Sequence, residues 1–217
     1  MTDISAVHYT LFPENWPAYA LLDSGDGRKL EAFGPYRFIR PEAQALWKPF
    51  LESGEWALAD GVFSSEQTNS NKETQEGRGR WKLSPALPES WEMSFDILRF
   101  TAMPTPFRHL GFFPEQSPHW LWTAGKIAAF RLRYNRPPRI LNLFAYSGLA
   151  SLHAAQAGAE VTHLDASKKA VAQAFENRDL SDMSAAPIRF ITDDASLFVE
   201  REIRRGRHYD GIMLDPP

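Results

Sequence analysis

Cysteine is absent from the 217 residues. Its absence excludes a disulfide scaffold, a thiolate-ligated zinc site and a thiolate nucleophile within this stretch. The six histidines show no spacing typical of a metal site, so we expect no metal. No apolar run approaches the roughly 18 residues that cross a bilayer, and the start of the chain has no basic segment followed by an apolar one. The sequence predicts a soluble protein of a reducing compartment, the cytoplasm, with no membrane partner.

An excess of one charge is also missing, because 24 Lys and Arg stand against 27 Asp and Glu, for a net charge of -3. This balance excludes a polycationic nucleic-acid coat and still permits a local basic patch. A hydrophobic fraction of 43% is typical of a globular protein. The length fits about one and a half average domains.

Residues 1–110 are predicted to form a small, strand-rich α+β unit that holds substrate. A glycine-containing turn between two short apolar runs in Trp16–Arg40 predicts a hairpin. Glu42–Leu51 has weak helical spacing, and residues 64–80 contain no apolar side chain, which is typical of a solvated loop. Alternation in Trp91–Leu98 predicts one strand with a buried face.

Residues 111–217 show a different pattern, in which short apolar strands alternate with helices. A first helix is expected from Ser117, as its cap, to the prolines at 137 and 138. The alternation predicts right-handed βαβ units and therefore a Rossmann-like α/β fold with a parallel sheet, apparently cut short after its fourth strand. The predicted strands are Arg139–Phe144, Glu160–Asp165, Ile188–Thr192 and Tyr209–Asp215, and the predicted helices between them are Ser147–Ala157, Ser167–Leu180 and Asp194–Arg205.

The loop after the first of these strands, Asn142–Gly148, leads into a helix N-terminus and contains one glycine. A dinucleotide site needs G-x-G-x-x-G and a P-loop needs G-x-x-x-x-G-K, and neither motif is present. Ligands of open α/β sheets bind outside the carboxyl ends of the strands. The loop therefore favours a nucleoside without phosphates.

Carboxylates stand at the ends of the next strands. Asp165 lies 17 residues after Gly148, close to the spacing expected for the acid that holds ribose hydroxyls, although it could instead precede a helix cap and pair with a neighbouring lysine. Asp193 and Asp194 follow the third strand, where a carboxylate could contact an adenine amino group; either residue could equally cap the following helix, and one residue could do both. Asp215, Pro216 and Pro217 end the fourth strand, and rigid carbonyls beside a carboxylate suit a planar amine.

These motifs together resemble class I S-adenosylmethionine-dependent methyltransferases. Asn142–Gly148 is similar to their first motif, Asp165 to their ribose acid and Asp215–Pro217 to their fourth motif. Within that class the chain resembles the large-subunit ribosomal RNA methyltransferases, and Thr105–Gln116 is similar to the segment that covers the cofactor. The resemblance implies methyl transfer from S-adenosylmethionine to a base in RNA, and it leaves the methylated atom and the oligomeric state open.

The resemblance also implies roles for individual residues. The methionine part of the cofactor would be enclosed by Asn142, Phe144, Tyr146, Ser147 and Gly148. The ribose side would be held by Asp165 and Ser167, and the adenine by Asp194 and Ala195. Asp215, with Pro216 and Pro217, would face the transferring methyl group, while His109 and Gln116 are candidates for cofactor contact.

A basic stretch from Lys126 to Arg139 is interleaved with Phe130 and Tyr134. This composition suits phosphate contact with base stacking, and it equally suits a solvated helix face. A methyltransferase for a small molecule or protein, a nucleotide-linked dehydrogenase and a non-catalytic binding module remain alternatives. The single loop glycine disfavours the dehydrogenase.

Overall fold

The computed structural model describes residues 12–13, 16–65 and 79–216. Most of the predicted loop at residues 64–80, and Pro217, lie outside the described residues. Among the described helices, none has the length and apolar character needed to cross a membrane.

The first sheet has five strands in the order β1-β2-β3-β4-β5. Its members are β1 (Tyr19–Gly25), β2 (Arg28–Phe33), β3 (Tyr36–Pro41), β4 (Gly61–Ser65) and β5 (Gly79–Leu83). Neighbouring strands pair antiparallel except β3 and β4, which pair parallel and are joined by a crossover containing the short helix α1 (Ser53–Trp56). The predicted hairpin of β1 and β2 is confirmed.

The second sheet consists of four parallel strands in the order β10-β9-β8-β11. The chain passes from β8 through β9 to β10 and then returns to the other side of β8, so the strand order reverses between β8 and β11. The predicted Rossmann-like α/β sheet is therefore confirmed. Its elements, with the helix that precedes them, are α2 (Ser117–Tyr134), β8 (Arg139–Leu143), α3 (Leu149–Gln156), β9 (Glu160–Asp165), α4 (Lys168–Leu180), β10 (Ile188–Thr192), α5 (Ala195–Arg204) and β11 (Gly211–Leu214).

One hydrophobic cluster joins the first sheet, through Phe33 and Phe38, to helices α2 and α3. Trp16 packs with ring-centroid distances of 4.7 Å to Phe95 and 6.2 Å to Trp120, and Leu149 and Leu152 of α3 complete the same cluster. The predicted boundary between 110 and 111 stays a prediction.

The prediction of a single strand over Trp91–Leu98 is wrong. The segment folds back on itself as a hairpin of β6 (Trp91–Phe95) and β7 (Leu98–Ala102), with Phe95 opposite Leu98. Asp96 takes a φ of +53°, a left-handed conformation that Asp tolerates better than most residues, and this permits the reversal.

The weak helical spacing of Glu42–Leu51 does not correspond to a helix in the structure. Backbone groups of this segment bond to the β1–β2 turn instead of to each other: Gly27 donates to the Ala45 carbonyl and Asp26 to that of Trp47. The Asp23 carboxylate accepts from the amides at positions 50 and 51. Likewise, α2 has Gln116 as its N-cap, and the predicted cap Ser117 lies inside the helix.

A buried ion pair stabilises the first sheet. Both carboxylate oxygens of Glu31 accept from the Arg40 guanidinium at 2.7 Å, and the Tyr19 hydroxyl donates to Glu31 at 2.9 Å. Although burial alone raises the pKa of Glu31, the positive charge and hydrogen bonds of Arg40 hold it below its ordinary value. The carboxylate therefore stays ionised at neutral pH.

Replacing Glu31 with Gln leaves the Arg40 guanidinium buried without its counter-charge. We expect Glu31→Gln to lower the free energy of unfolding by about 3–5 kcal/mol in denaturant titrations. Glu42→Gln, which breaks only the partly exposed pair with Lys29, serves as the control and should cost at most about 1 kcal/mol. Equal effects of the two substitutions would contradict the assignment.

Candidate functional site

The loop from Phe144 to Gly148 lies at the carboxyl end of β8, beside the point where the strand order reverses. Phe144 and Tyr146 take φ values of +55° and +47°, conformations that cost non-glycine residues roughly 1–3 kcal/mol each. Ala145 donates its amide to the Leu164 carbonyl at 3.0 Å, which fastens the loop to β9. Phe144 remains 38% exposed at the carboxyl end of the sheet.

Asp165, at the end of β9, connects the loop to the start of α4. One carboxylate oxygen accepts from the Tyr146 amide and the other from the Ser167 amide, each at 2.8 Å. These backbone amides are its bonding partners, rather than Lys168 or Lys169. Each carboxylate oxygen can accept more than one hydrogen bond, so Asp165 retains acceptor capacity for a ligand hydroxyl.

Ser167 is the N-cap of α4, and its hydroxyl accepts from the Ala170 amide at 3.2 Å. Asp194 is the N-cap of α5, and its carboxylate accepts from the Leu197 amide at 2.9 Å. Asp193 pairs with Arg201. The structure thus places Asp194 and the half-buried Ala195 at the end of β10 and gives Asp194 the capping role.

Asn142 lies behind the loop rather than within it. Its side chain is buried and donates to the Ser151 hydroxyl at 2.9 Å, and that hydroxyl lies 3.0 Å from Nδ1 of His163. Burial lowers the pKa of His163 to about 4, so the ring is neutral at pH 7. Asn142, Ser151 and His163 form a buried hydrogen-bond network among β8, α3 and β9, next to the loop. The sequence motif alone did not indicate this network.

Asn177 is a second supporting residue that the sequence analysis missed. It is 1% exposed, donates to the Ser147 carbonyl at 2.9 Å and accepts from the Thr101 amide of β7 at 3.0 Å. A buried side chain on α4 therefore joins the loop to the β6–β7 hairpin. The sequence gives little indication of this role, since an Asn within an amphipathic helix is usually predicted to face solvent.

Asp215 follows β11 and is exposed, as is Pro216, while Pro217 lies outside the described residues. The Asp215 carboxylate accepts from the Gln116 side-chain amide at 2.8 Å. The side-chain oxygen Oε1 of Gln116 lies 2.9 Å from Nδ1 of His119. The segment before α2 thus reaches the carboxyl end of β11.

Residues 105–116, which we call the covering segment, place aromatic rings over the β8 loop. His109 lies 5.5 Å from Tyr146 and 5.0 Å from Phe113, measured between ring centroids. The Gly111 amide donates to Nδ1 of His109, which places the ring proton on Nε2. Arg40 of the first sheet donates to the Arg108 carbonyl at 3.2 Å, so the buried ion pair of the N-terminal sheet anchors this segment.

Two aromatic groups near the loop are held in their neutral forms. Burial first, and the nearby positive charges of Arg40 and Arg108 next, lower the pKa of His109 to about 4. Burial and the charge of Asp165 raise the pKa of Tyr146 to about 12. At neutral pH, both groups are uncharged hydrogen-bonding groups.

Much of the basic stretch from Lys126 to Arg139 is engaged within the protein. Arg136 donates to both oxygens of Asp210 at 2.8 Å, and Arg131 donates to the Ala157 carbonyl at 3.3 Å. Lys126 lies over Trp122, with its ammonium 5.1 Å from the ring centroid. The solvated-face interpretation therefore accounts for part of this stretch. Within the described chain, no group of three His, Asp or Glu side chains is arranged to hold a metal.

Comparison with known proteins agrees with this geometry. A family model described as "Conserved hypothetical protein 95" matches residues 127–217. The crystal structure of an S-adenosylmethionine-dependent methyltransferase from Agrobacterium tumefaciens superimposes with a TM-score of 0.82 at 47% identity, covering 92% of this chain and 60% of that one. A structure from Streptococcus mutans superimposes with a TM-score of 0.68 over 92% of this chain and 52% of that one, and at 17% identity it shows the fold alone.

Several curated relatives carry the name ribosomal RNA large subunit methyltransferase K/L. The protein from Stutzerimonas stutzeri is 29% identical over 96% of this chain and 27% of its own length. The protein from Shewanella sp. strain MR-4 is 41% identical over 36% of this chain and 11% of its own length. The chain thus spans about a quarter or less of these relatives. The resemblance to class I S-adenosylmethionine-dependent methyltransferases is confirmed.

A substitution at Gly148 tests whether the β8 loop packs closely on α4. Gly148 has a φ of +87°, and an added Cβ would lie 2.7 Å from Cβ of Ala174. We expect Gly148→Ala to destabilise the protein by more than about 1 kcal/mol in denaturant titrations. Gly125→Ala on α2 meets nothing within 4 Å and should be neutral or stabilising by up to about 1 kcal/mol. Equal stability of the two variants would disprove close packing of the loop on α4.

The lowered pKa of His109 predicts that the free energy of unfolding decreases in acid. Because its folded pKa of about 4 lies below the unfolded value, the unfolded chain takes up this proton first as pH falls. Stability contributed by the neutral ring is therefore present above about pH 6.5 and is lost towards pH 4. Denaturant titrations of His109→Gln should show a shallower loss of stability over this range than the wild-type protein. An unchanged slope would show that His109 titrates normally.

Proposed function

We propose that the chain contains the cofactor site of an S-adenosylmethionine-dependent methyltransferase that modifies a base in ribosomal RNA. The observation that carries the proposal is the Asp165 carboxylate, which joins the β8 loop to α4 beside the point where the strand order reverses. A carboxylate in this position, with acceptor capacity left on both oxygens, is suited to a pair of ribose hydroxyls.

The residues present fit this cofactor chemically. The loop has neither the glycines nor the lysine of a phosphate site, as expected for a ligand without phosphates. The acidic groups Asp165 and Asp215 stand at the carboxyl ends of β9 and β11, on either side of the β8 loop, while His109 is neutral at pH 7. A positively charged sulfonium is therefore compatible with the charges around the site.

We assign the ribose to Asp165, with Ser167 beside it, and the adenine to the end of β10 at Asp194 and Ala195. Phe144, Tyr146, Ser147 and Gly148 enclose the methionine part from the β8 loop. Asn142 has its amide committed to Ser151, so we give it a positioning role beneath the loop.

The bound sulfonium would supply an activated methyl group, so the protein's contribution is mainly orientation and exclusion of water. Asp215 accepts from Gln116 and is exposed, so it can also accept from a planar amine of the substrate. Pro216 restricts the backbone that follows Asp215. The covering segment around His109 limits access of water to the loop.

Ribosomal RNA as the substrate is supported by the names of the curated relatives. The exposed Arg133 of α2 is available for phosphate contact. An RNA substrate of this kind would place the protein in the cytoplasm.

Asp165→Ala should weaken binding of S-adenosylhomocysteine about tenfold to a hundredfold, because a charge-assisted hydrogen bond contributes roughly 1.5–3 kcal/mol. Isothermal titration calorimetry measures this directly. Asp179→Ala, which removes an exposed carboxylate paired with Arg178 on α4, is the matched control and should leave the affinity unchanged. Wild-type affinity in Asp165→Ala would contradict the ribose assignment, and a wild-type protein without measurable binding would contradict the proposed function.

A further inference from the structure

A cavity of about 760 Å³ lies in the N-terminal sheet, lined by residues between positions 26 and 85 and separate from the strand ends of the second sheet. It is formed between the sheet face and the β3–β4 crossover, and Ile39 and Val62 line its apolar side. This volume falls within the roughly 300–1,000 Å³ of sites that hold small organic ligands.

Arg28 is fixed at this cavity by an aromatic ring. Its guanidinium carbon lies 5.2 Å from the ring centroid of Trp56, which is 7% exposed and belongs to the cluster beneath. A guanidinium held over an indole presents a planar, positively charged surface with reduced side-chain freedom. Unpaired RNA bases stack on such surfaces.

The charges of the lining favour an anion. Asp26 is paired with Lys48 at 3.0 Å, and the Asp60 carboxylate accepts from the Arg37 amide at 2.8 Å. Both lining carboxylates are therefore already bonded. Arg28 and Lys82 form no ion pair among the described residues, and both are exposed. A ligand with a planar ring and a phosphate would satisfy both cations.

We infer that this cavity holds one unpaired nucleotide of the RNA substrate, with its base against the Arg28 guanidinium and its phosphate near Lys82. The inference rests on the proposed function, and it adds a substrate contact outside the cofactor site. It would fix the RNA to the N-terminal sheet while the Arg40 anchor holds the covering segment over the β8 loop.

The test measures binding of fluorescein-labelled single-stranded octauridylate and octaadenylate by anisotropy at several salt concentrations. Arg28→Gln and Lys82→Gln should each weaken binding about tenfold. In Arg28→Gln/Lys82→Gln, the slope of log affinity against log salt should become shallower by about 0.7, because the phosphate contact of Lys82 is lost. Lys29→Gln removes a positive charge from the adjacent position of β2, outside the cavity, and is the matched control.

Two further readouts separate the possible failures. Hydrogen exchange with octaadenylate bound should show protection at residues 48–57 and 82–85, and affinity for S-adenosylhomocysteine should be unchanged in the cavity variants. Wild-type RNA affinity in the double variant, or protection confined to α2, would overturn the inference and leave the cofactor site intact. Saturation of the cavity by free adenosine monophosphate without any effect on octanucleotide binding would assign it to a free nucleotide, which also overturns the inference. If the wild-type protein does not bind S-adenosylhomocysteine, the proposed function is rejected instead.

Discussion

The Asp165 carboxylate holds together the carboxyl end of the parallel sheet. Its two oxygens accept from backbone amides on separate loops, one after β8 and one at the start of α4. Since Tyr146 and Phe144 occupy left-handed conformations, the loop needs such external bonds to keep its shape. In the proposed site, the group that orders the loop is also the group that recognises the ribose, so the site is formed before the ligand arrives.

Support for this loop comes from the rest of the chain. Asn177 ties Ser147 to the β6–β7 hairpin, and Arg40 ties the covering segment to the N-terminal sheet. Together with the aromatic cluster around Trp16, these contacts make the N-terminal sheet and the β6–β7 hairpin part of the framework of the candidate site. A change in the N-terminal sheet is therefore expected to reach the β8 loop through buried hydrogen bonds.

Local sequence patterns predicted the parallel sheet because its strands and helices alternate at regular spacing and its polar residues stand at strand ends. The same reasoning failed at Glu42–Leu51, where backbone partners come from the β1–β2 turn, and at Asp96, where a left-handed residue reverses an alternating run. The supporting roles of Asn177 and Ser151 were also missed. Their partners lie 30 and 12 residues away in the chain, and spacing within one element carries no information about such contacts.

In the proposed site, an adenosine ligand lies across the ends of β8, β9 and β10 with its sugar at Asp165. A crystal structure of the protein with S-adenosylhomocysteine would show this arrangement. We expect ribose hydroxyls within hydrogen-bond distance of the Asp165 carboxylate and the base beside Asp194. A ligand bound elsewhere on the protein, or a ribose that makes no contact with Asp165, would contradict it.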